Sequence, residues 1–168
     1  MAFSAQLVLS AAIKVLITIL VIVVLCLVDP SYLTAYISIN YEIVMIYLFS
    51  AVTLLYNVVS VVMYCIISRK EDGGVTTNHS IGEVIFALFQ VGAWLLILGI
   101  GGNISQRTII ESGEGFGWIG ALSGVIVGSF LCIAGIFTIN VINDKILSRE
   151  RQEKYSGSRY GYSAGRHY

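Results

Sequence analysis

Residues 7–28 read LVLSAAIKVLITILVIVVLCLV, an apolar run whose one formal charge is Lys14. A hydrocarbon core about 30 Å thick is crossed by about 20 helical residues, each rising about 1.5 Å. The run is long enough to cross. Three further runs of comparable length, Ile43–Ile67, Val84–Gly102 and Trp118–Ile142, carry no formal charge. Their valine and isoleucine would favour strands in water. Barrel strands, however, are only about 9–11 residues long and alternate in polarity. A chain in lipid must also satisfy its own backbone, which leaves helices as the solution. The expected fold is all-α: an integral membrane four-helix bundle occupying residues 1–142.

Composition points the same way. The chain is 57% hydrophobic and 12% charged, with mean hydropathy +0.84, whereas a soluble domain carries about 25% charged residues. Ten basic residues balance ten acidic ones, so no net field draws the chain toward nucleic acid. A soluble enzyme and a nucleic-acid binder are both excluded.

The first run has no basic stretch before it, and Leu25–Ser31 is a poor small-residue cleavage site. It reads as a retained signal-anchor helix ending at Asp29-Pro30, since proline cannot continue a helix and its predecessor avoids helical dihedrals. Arg69 and Lys70 follow the second run, and Lys145, Arg149, Arg151, Lys154, Arg159 and Arg166 follow the fourth. Arg107 stands by itself on the other side. The positive-inside rule therefore predicts cytoplasmic termini and a cytoplasmic middle loop. Outer loops would span Asp29–Glu42 and Asn103–Gly117. A 14-residue loop going out and back reaches only about 23 Å, so adhesion across a wide gap would need a partner with a larger ectodomain. Tyr32, Tyr36 and Tyr41 suit the interfacial aromatic belt.

The tail, residues 143–168, starts with a helical stretch, Asp144–Lys154. It then becomes YSGSRYGYSAGRHY, a composition that buries too little apolar surface to order itself. Tyr155, Tyr160, Tyr162 and Tyr168 are candidate phosphorylation sites. The cysteines, Cys26, Cys65 and Cys132, all lie in the apolar runs, so no disulfide is expected between outer loops. Cys65, at the end of the second run, is a candidate palmitoylation site, with a small apolar filler as the plainer alternative. The sequons at Asn78 and Asn103 are poorly placed for glycans.

Polar residues within the runs mark an interior. Gln6, Ser10, Lys14 and Thr18 recur every fourth position on one helical face. Gln90 lies at a depth similar to that of Lys14, and Asn57 is somewhat deeper. Together with Glu83 as counter-charge they form a candidate intramembrane cluster. Either they glue helices together at about 1 kcal/mol per bond, or they line a proton or ion path. The Lys14 stem is long enough to lift its ammonium toward the interface. Gly120, Gly124 and Gly128 make overlapping G-x-x-x-G steps for close helix packing, extended by Gly117 and Gly135. Gly92 and Gly99 offer a smaller patch of the same kind. No metal-ligand spacing, catalytic triad or phosphate loop is present, so no enzyme, cofactor or metal is expected. Gly113–Gly117 (GEGFG) follows no strand and is not a nucleotide loop.

Three stretches carry a family likeness: Ile13-Lys14-Val15-Leu16; Glu83-Val84-Ile85 leading to Gly92-Ala93-Trp94; and Val127-Gly128-Ser129-Phe130-Leu131-Cys132-Ile133. Within a broadly MARVEL-like four-pass layout, the chain resembles the snakeskin-type proteins of arthropod smooth septate junctions over most of residues 7–142. The resemblance implies a non-enzymatic role in an epithelial occluding junction at lateral plasma-membrane contacts. It also implies a large mesh-like single-pass partner and a tetraspanin. Membrane lipids and further copies of the chain are the other expected partners. The alternatives are a MARVEL-like vesicle-trafficking protein and a small channel or transporter built on Lys14, Asn57 and Gln90.

Overall fold

The computed structural model describes residues 5–28, 41–69, 77–107 and 112–163, with side chains omitted at 68, 107, 112, 113 and 151–163. The described elements are four α-helices: α1 (Ala5–Leu27), α2 (Tyr41–Arg69), α3 (Thr77–Arg107) and α4 (Ser112–Ser163). No strand occurs among the described residues. All four helices are long and apolar enough to cross a membrane. Each packs against the next in the chain and α4 closes onto α1, with α3 and α4 in the most intimate contact. The result is an up-and-down helical ring.

Burial follows a regular spacing. On α1 the interior positions are Leu7, Ser10, Lys14, Ile17, Val21 and Val24. On α2 they are Ile43, Ile46, Ser50, Thr53, Asn57, Ser60 and Tyr64. Steps of three and four residues alternate, which is the 3.5-residue period of left-handed, knobs-into-holes packing. Helix α3 repeats it from Ser80 through Glu83, Ala87, Gln90, Trp94 and Ile97. The outer surface is apolar too, with Leu9, Ile19, Leu55, Ile85 and Leu96 more than half exposed. In water such a surface would aggregate, whereas in lipid it is the ordinary exterior.

Several boundaries shift from the sequence reading. Helix α3 runs seven residues before Val84, and α4 begins at Ser112 rather than Trp118. Asn103 and Gly113–Gly117, expected in an outer loop, are helical. Close packing accounts for this. Gly117 sits against the Ser105 side chain, and Gly115 faces the Leu27 carbonyl of α1. At the other end, Thr77 Oγ1 donates to Asp144 Oδ2 at 2.9 Å, tying the start of α3 to α4. Helix α4 then continues through 155–163, where composition predicted an unstructured tail. The preceding charged stretch is rich in helix formers and contains no proline, so the helical register carries on. Tyr41 and Glu42 of the expected loop Asp29–Glu42 open α2, and the rest of that loop, 29–40, lies outside the described residues, as does the remaining tail, 164–168.

The α3–α4 contact depends on glycine, though not at every expected position. A Cβ on Gly101 would lie 2.8 Å from the Gly120 nitrogen and 2.8 Å from the Phe116 carbonyl oxygen, both backbone atoms. Gly120 approaches the Gly102 nitrogen, and Gly124 meets Leu98. Gly128 and Gly135 meet nothing within 4 Å, and neither do Gly92 and Gly99. The packing surface thus comprises Gly101, Gly117, Gly120 and Gly124. Gly101 shares the buried face of Trp94, Ile97 and Ile104, while Gly92 and Gly99 fall outside that register.

Candidate functional site

Four helices deliver polar side chains to the interior, and the densest group lies toward the end where α3 begins. Lys14 is fully buried and Glu83 is 4% exposed. Lys14 Nζ donates to Glu83 Oε2 at 2.7 Å and also to Ser60 Oγ. Ser60 Oγ in turn donates to Glu83 Oε1, and Tyr56 OH donates to Glu83 Oε2. The ammonium also sits 4.3 Å from the Tyr56 ring centroid and 4.8 Å from that of Tyr64. Both aromatic faces present negative charge density to it. Lys14 does not snorkel outward, as its reach had suggested. Its partner comes to it instead, because Glu83 occupies the buried register of α3.

An unpaired charge in such an interior costs several kcal/mol, so a closed pair is the arrangement the site demands. The two formal charges buried among the described residues are this one pair. His79, one turn before Glu83, places Nε2 at 3.8 Å from Oε1. That distance is too long for a hydrogen bond, and Nε2 has no hydrogen-bond partner.

Asn57 belongs to the same group by a different contact. Its Nδ2 donates to Thr18 Oγ1 at 3.1 Å and to the Lys14 carbonyl at 3.4 Å. Thr18 Oγ1 bonds that carbonyl at 2.8 Å. Asn57 therefore fastens α2 to the backbone of α1 beside Lys14. Gln90 is separate. It accepts from Thr53 Oγ1 at 3.1 Å, and Trp94 Nε1 donates to the same hydroxyl at 3.0 Å. Among the four expected members, Lys14, Glu83 and Asn57 come together, and Gln90 anchors a neighbouring α2–α3 clasp.

Sequence reasoning passed over Tyr56, Ser60, Tyr64, Thr53 and Trp94. A signal was present: Ser50, Thr53, Asn57, Ser60 and Tyr64 repeat in steps of three and four, a polar seam on an otherwise apolar helix. The every-fourth-residue stripe on α1 was partly misleading, since Gln6 is exposed while Leu7 and Ile17 are buried.

Between α2 and α3 a groove of about 290 Å³ opens toward the outside of the bundle. Val59, Met63 and Phe86 line it with apolar side chains, and Asn78, His79 and Glu83 with polar ones. Tyr56 stacks on Phe86 with ring centroids 3.8 Å apart. Gly82 also borders the groove and has open space above its Cα.

The remaining candidates are spread over the surface. Cys26, Cys65 and Cys132 are exposed and form no disulfide, which leaves Cys65 accessible at the end of α2. Tyr155, Tyr160 and Tyr162 fall where only the helical backbone is described, and Tyr168 lies outside the described residues. No cluster of metal-ligating side chains occurs among the described residues. No protein family, curated protein or solved structure matches the chain.

Proposed function

We propose that this chain is a non-enzymatic membrane organiser of epithelial occluding junctions, of the smooth septate type that its sequence resembles. Its termini would be cytoplasmic, and its exposed helix faces would assemble laterally with other junction proteins. The observation that carries the reading is the closed Lys14–Glu83 pair. Both charges are satisfied by each other, by Ser60 and Tyr56, and by aromatic faces. A lysine ammonium held by a carboxylate, a hydroxyl and two aromatic faces fixes helix positions. The short outer loops expected from the sequence add support, because they leave wide-gap adhesion to a partner with a larger ectodomain, such as a mesh-like single-pass protein. The exposed glycines Gly92, Gly99, Gly128 and Gly135 offer close lateral approach to such partners or to a second copy.

Localisation tests this. A small tag near Gly73 leaves the C-terminus free. In polarised epithelium the tagged protein is expected in a continuous belt at lateral contacts, with paracellular leak after depletion. A punctate vesicular pattern without enrichment at contacts would overturn the junction reading in favour of membrane trafficking.

A further inference from the structure

We propose that the α2–α3 groove binds the headgroup of one phosphatidylethanolamine molecule, with Glu83 Oε1 and His79 Nε2 receiving its ammonium group. The inference rests on the membrane-spanning reading of the four helices and is independent of the junction role. It starts from lone-pair accounting. A carboxylate oxygen accepts about two hydrogen bonds. Glu83 Oε2 already receives Lys14 and Tyr56, whereas Oε1 receives Ser60. One acceptor position on Oε1 remains. His79 Nε2 lies 3.8 Å from it without a hydrogen-bond partner. With its proton on Nδ1, the imidazole offers Nε2 as a second acceptor.

Two acceptors side by side call for a ligand with at least two polar hydrogens on one atom. A primary ammonium meets that requirement, and a quaternary choline nitrogen has no hydrogen to give. Charge narrows the choice further. Lys14 and Glu83 cancel, so the pocket is close to neutral and suits a zwitterion better than an anionic lipid. Asn78, which also lines the groove, supplies an amide donor for a phosphate oxygen. Val59, Met63 and Phe86 continue the groove as apolar wall for the first acyl methylenes. At about 30 Å³ per water molecule, the space holds on the order of ten waters, a scale that fits a small headgroup.

The test uses the full chain recovered from carbonate-washed membranes, which establishes membrane integration first. The protein is exchanged into detergent with lipids of identical acyl chains. Native mass spectrometry then counts the lipids retained by each chain. The headgroups compared are phosphatidylethanolamine, its N-methyl and N,N-dimethyl derivatives, phosphatidylcholine and phosphatidylglycerol. One phosphatidylethanolamine per chain is expected, retained at least about tenfold over phosphatidylcholine; tenfold corresponds to about 1.4 kcal/mol. Retention should fall between the monomethyl and dimethyl headgroups, where the nitrogen can no longer serve both acceptors. Gly82→Leu should abolish retention while leaving thermal unfolding of the bundle at or above that of wild type, because it fills open space with a better helix former. His79→Phe should erase the headgroup preference. Equal retention of all headgroups, a preference for phosphatidylglycerol, no retained lipid, or wild-type retention by Gly82→Leu would each overturn the proposal.

Discussion

Removing one member of the Lys14–Glu83 pair strands the other in an apolar interior, whereas removing both leaves no charge to strand. Breaking a buried pair from one side costs about 3–5 kcal/mol, and replacing the whole pair with apolar groups is often nearly neutral. Lys14→Met is therefore expected to lower stability by about 3 kcal/mol or more. The Lys14→Met/Glu83→Met double variant should recover most of that loss. Unfolding of the four variants of a double-mutant cycle in mixed micelles, by titration with dodecyl sulfate, reads both values. Additive losses would show that the pair is not a unit. Asn57→Leu removes the clasp onto Thr18 and the Lys14 carbonyl; interhelical bonds of this kind are worth about 0.6–2 kcal/mol in membranes. The same titration should place it well above Lys14→Met in stability.

Residues also show where sequence reasoning succeeds. Lys14, Asn57 and Glu83 were legible because a polar side chain in a long apolar run must find a partner, and approximate depth narrows the choice. Gln90 has the right depth as well, yet it faces Thr53 and Trp94. Depth fixes position along a helix axis, and rotation about that axis comes from neighbours the sequence does not display.

At the scale of elements, the four helices were legible from length and apolarity, and their inward faces were not. A helix between lipid and protein is apolar on both sides, so amphipathicity carries little signal. Only the polar seam and the small residues betray the interior. The small residues then divide sharply. Gly101→Ala must push the backbones of α3 and α4 apart, since Gly120 and Phe116 stand 2.8 Å from its Cβ. Overpacking of this kind costs about 1–3 kcal/mol. Gly92→Ala and Gly128→Ala meet nothing within 4 Å, and alanine is the better helix former by about 1 kcal/mol. Thermal melting should rank Gly101→Ala below wild type, with the other two at or above it. A destabilised Gly128→Ala would mean that this face is already packed against another copy.

For the whole molecule, the count of helices and the placement of basic residues together predict sidedness. Single cysteines introduced at Gly73 and at Ser156 in a cysteine-free chain are expected to react with an impermeant thiol reagent only after the plasma membrane is permeabilised. One at Tyr36 should react in intact cells. Labelling of Gly73 and Ser156 from opposite faces would break the four-pass arrangement. The order of helices around the ring, α1 to α4 in chain order, was not legible in the sequence, because short connections leave the choice of packing neighbour open. Extension of α3 and α4 past their apolar segments was not legible either, because hydropathy marks only the apolar part of a helix.

The central claim is that the buried pair is structural and that the molecule serves as a junction scaffold. The most direct measurement is transepithelial resistance in epithelium depleted of the endogenous protein and rescued with wild type or with Lys14→Met/Glu83→Met. The account predicts that both form belts at lateral contacts and that both restore resistance, because the double variant keeps the packing and discards only the charges. A double variant that folds and reaches the contacts yet leaves the epithelium leaky would contradict it, since the charges would then be working in transport and not in assembly.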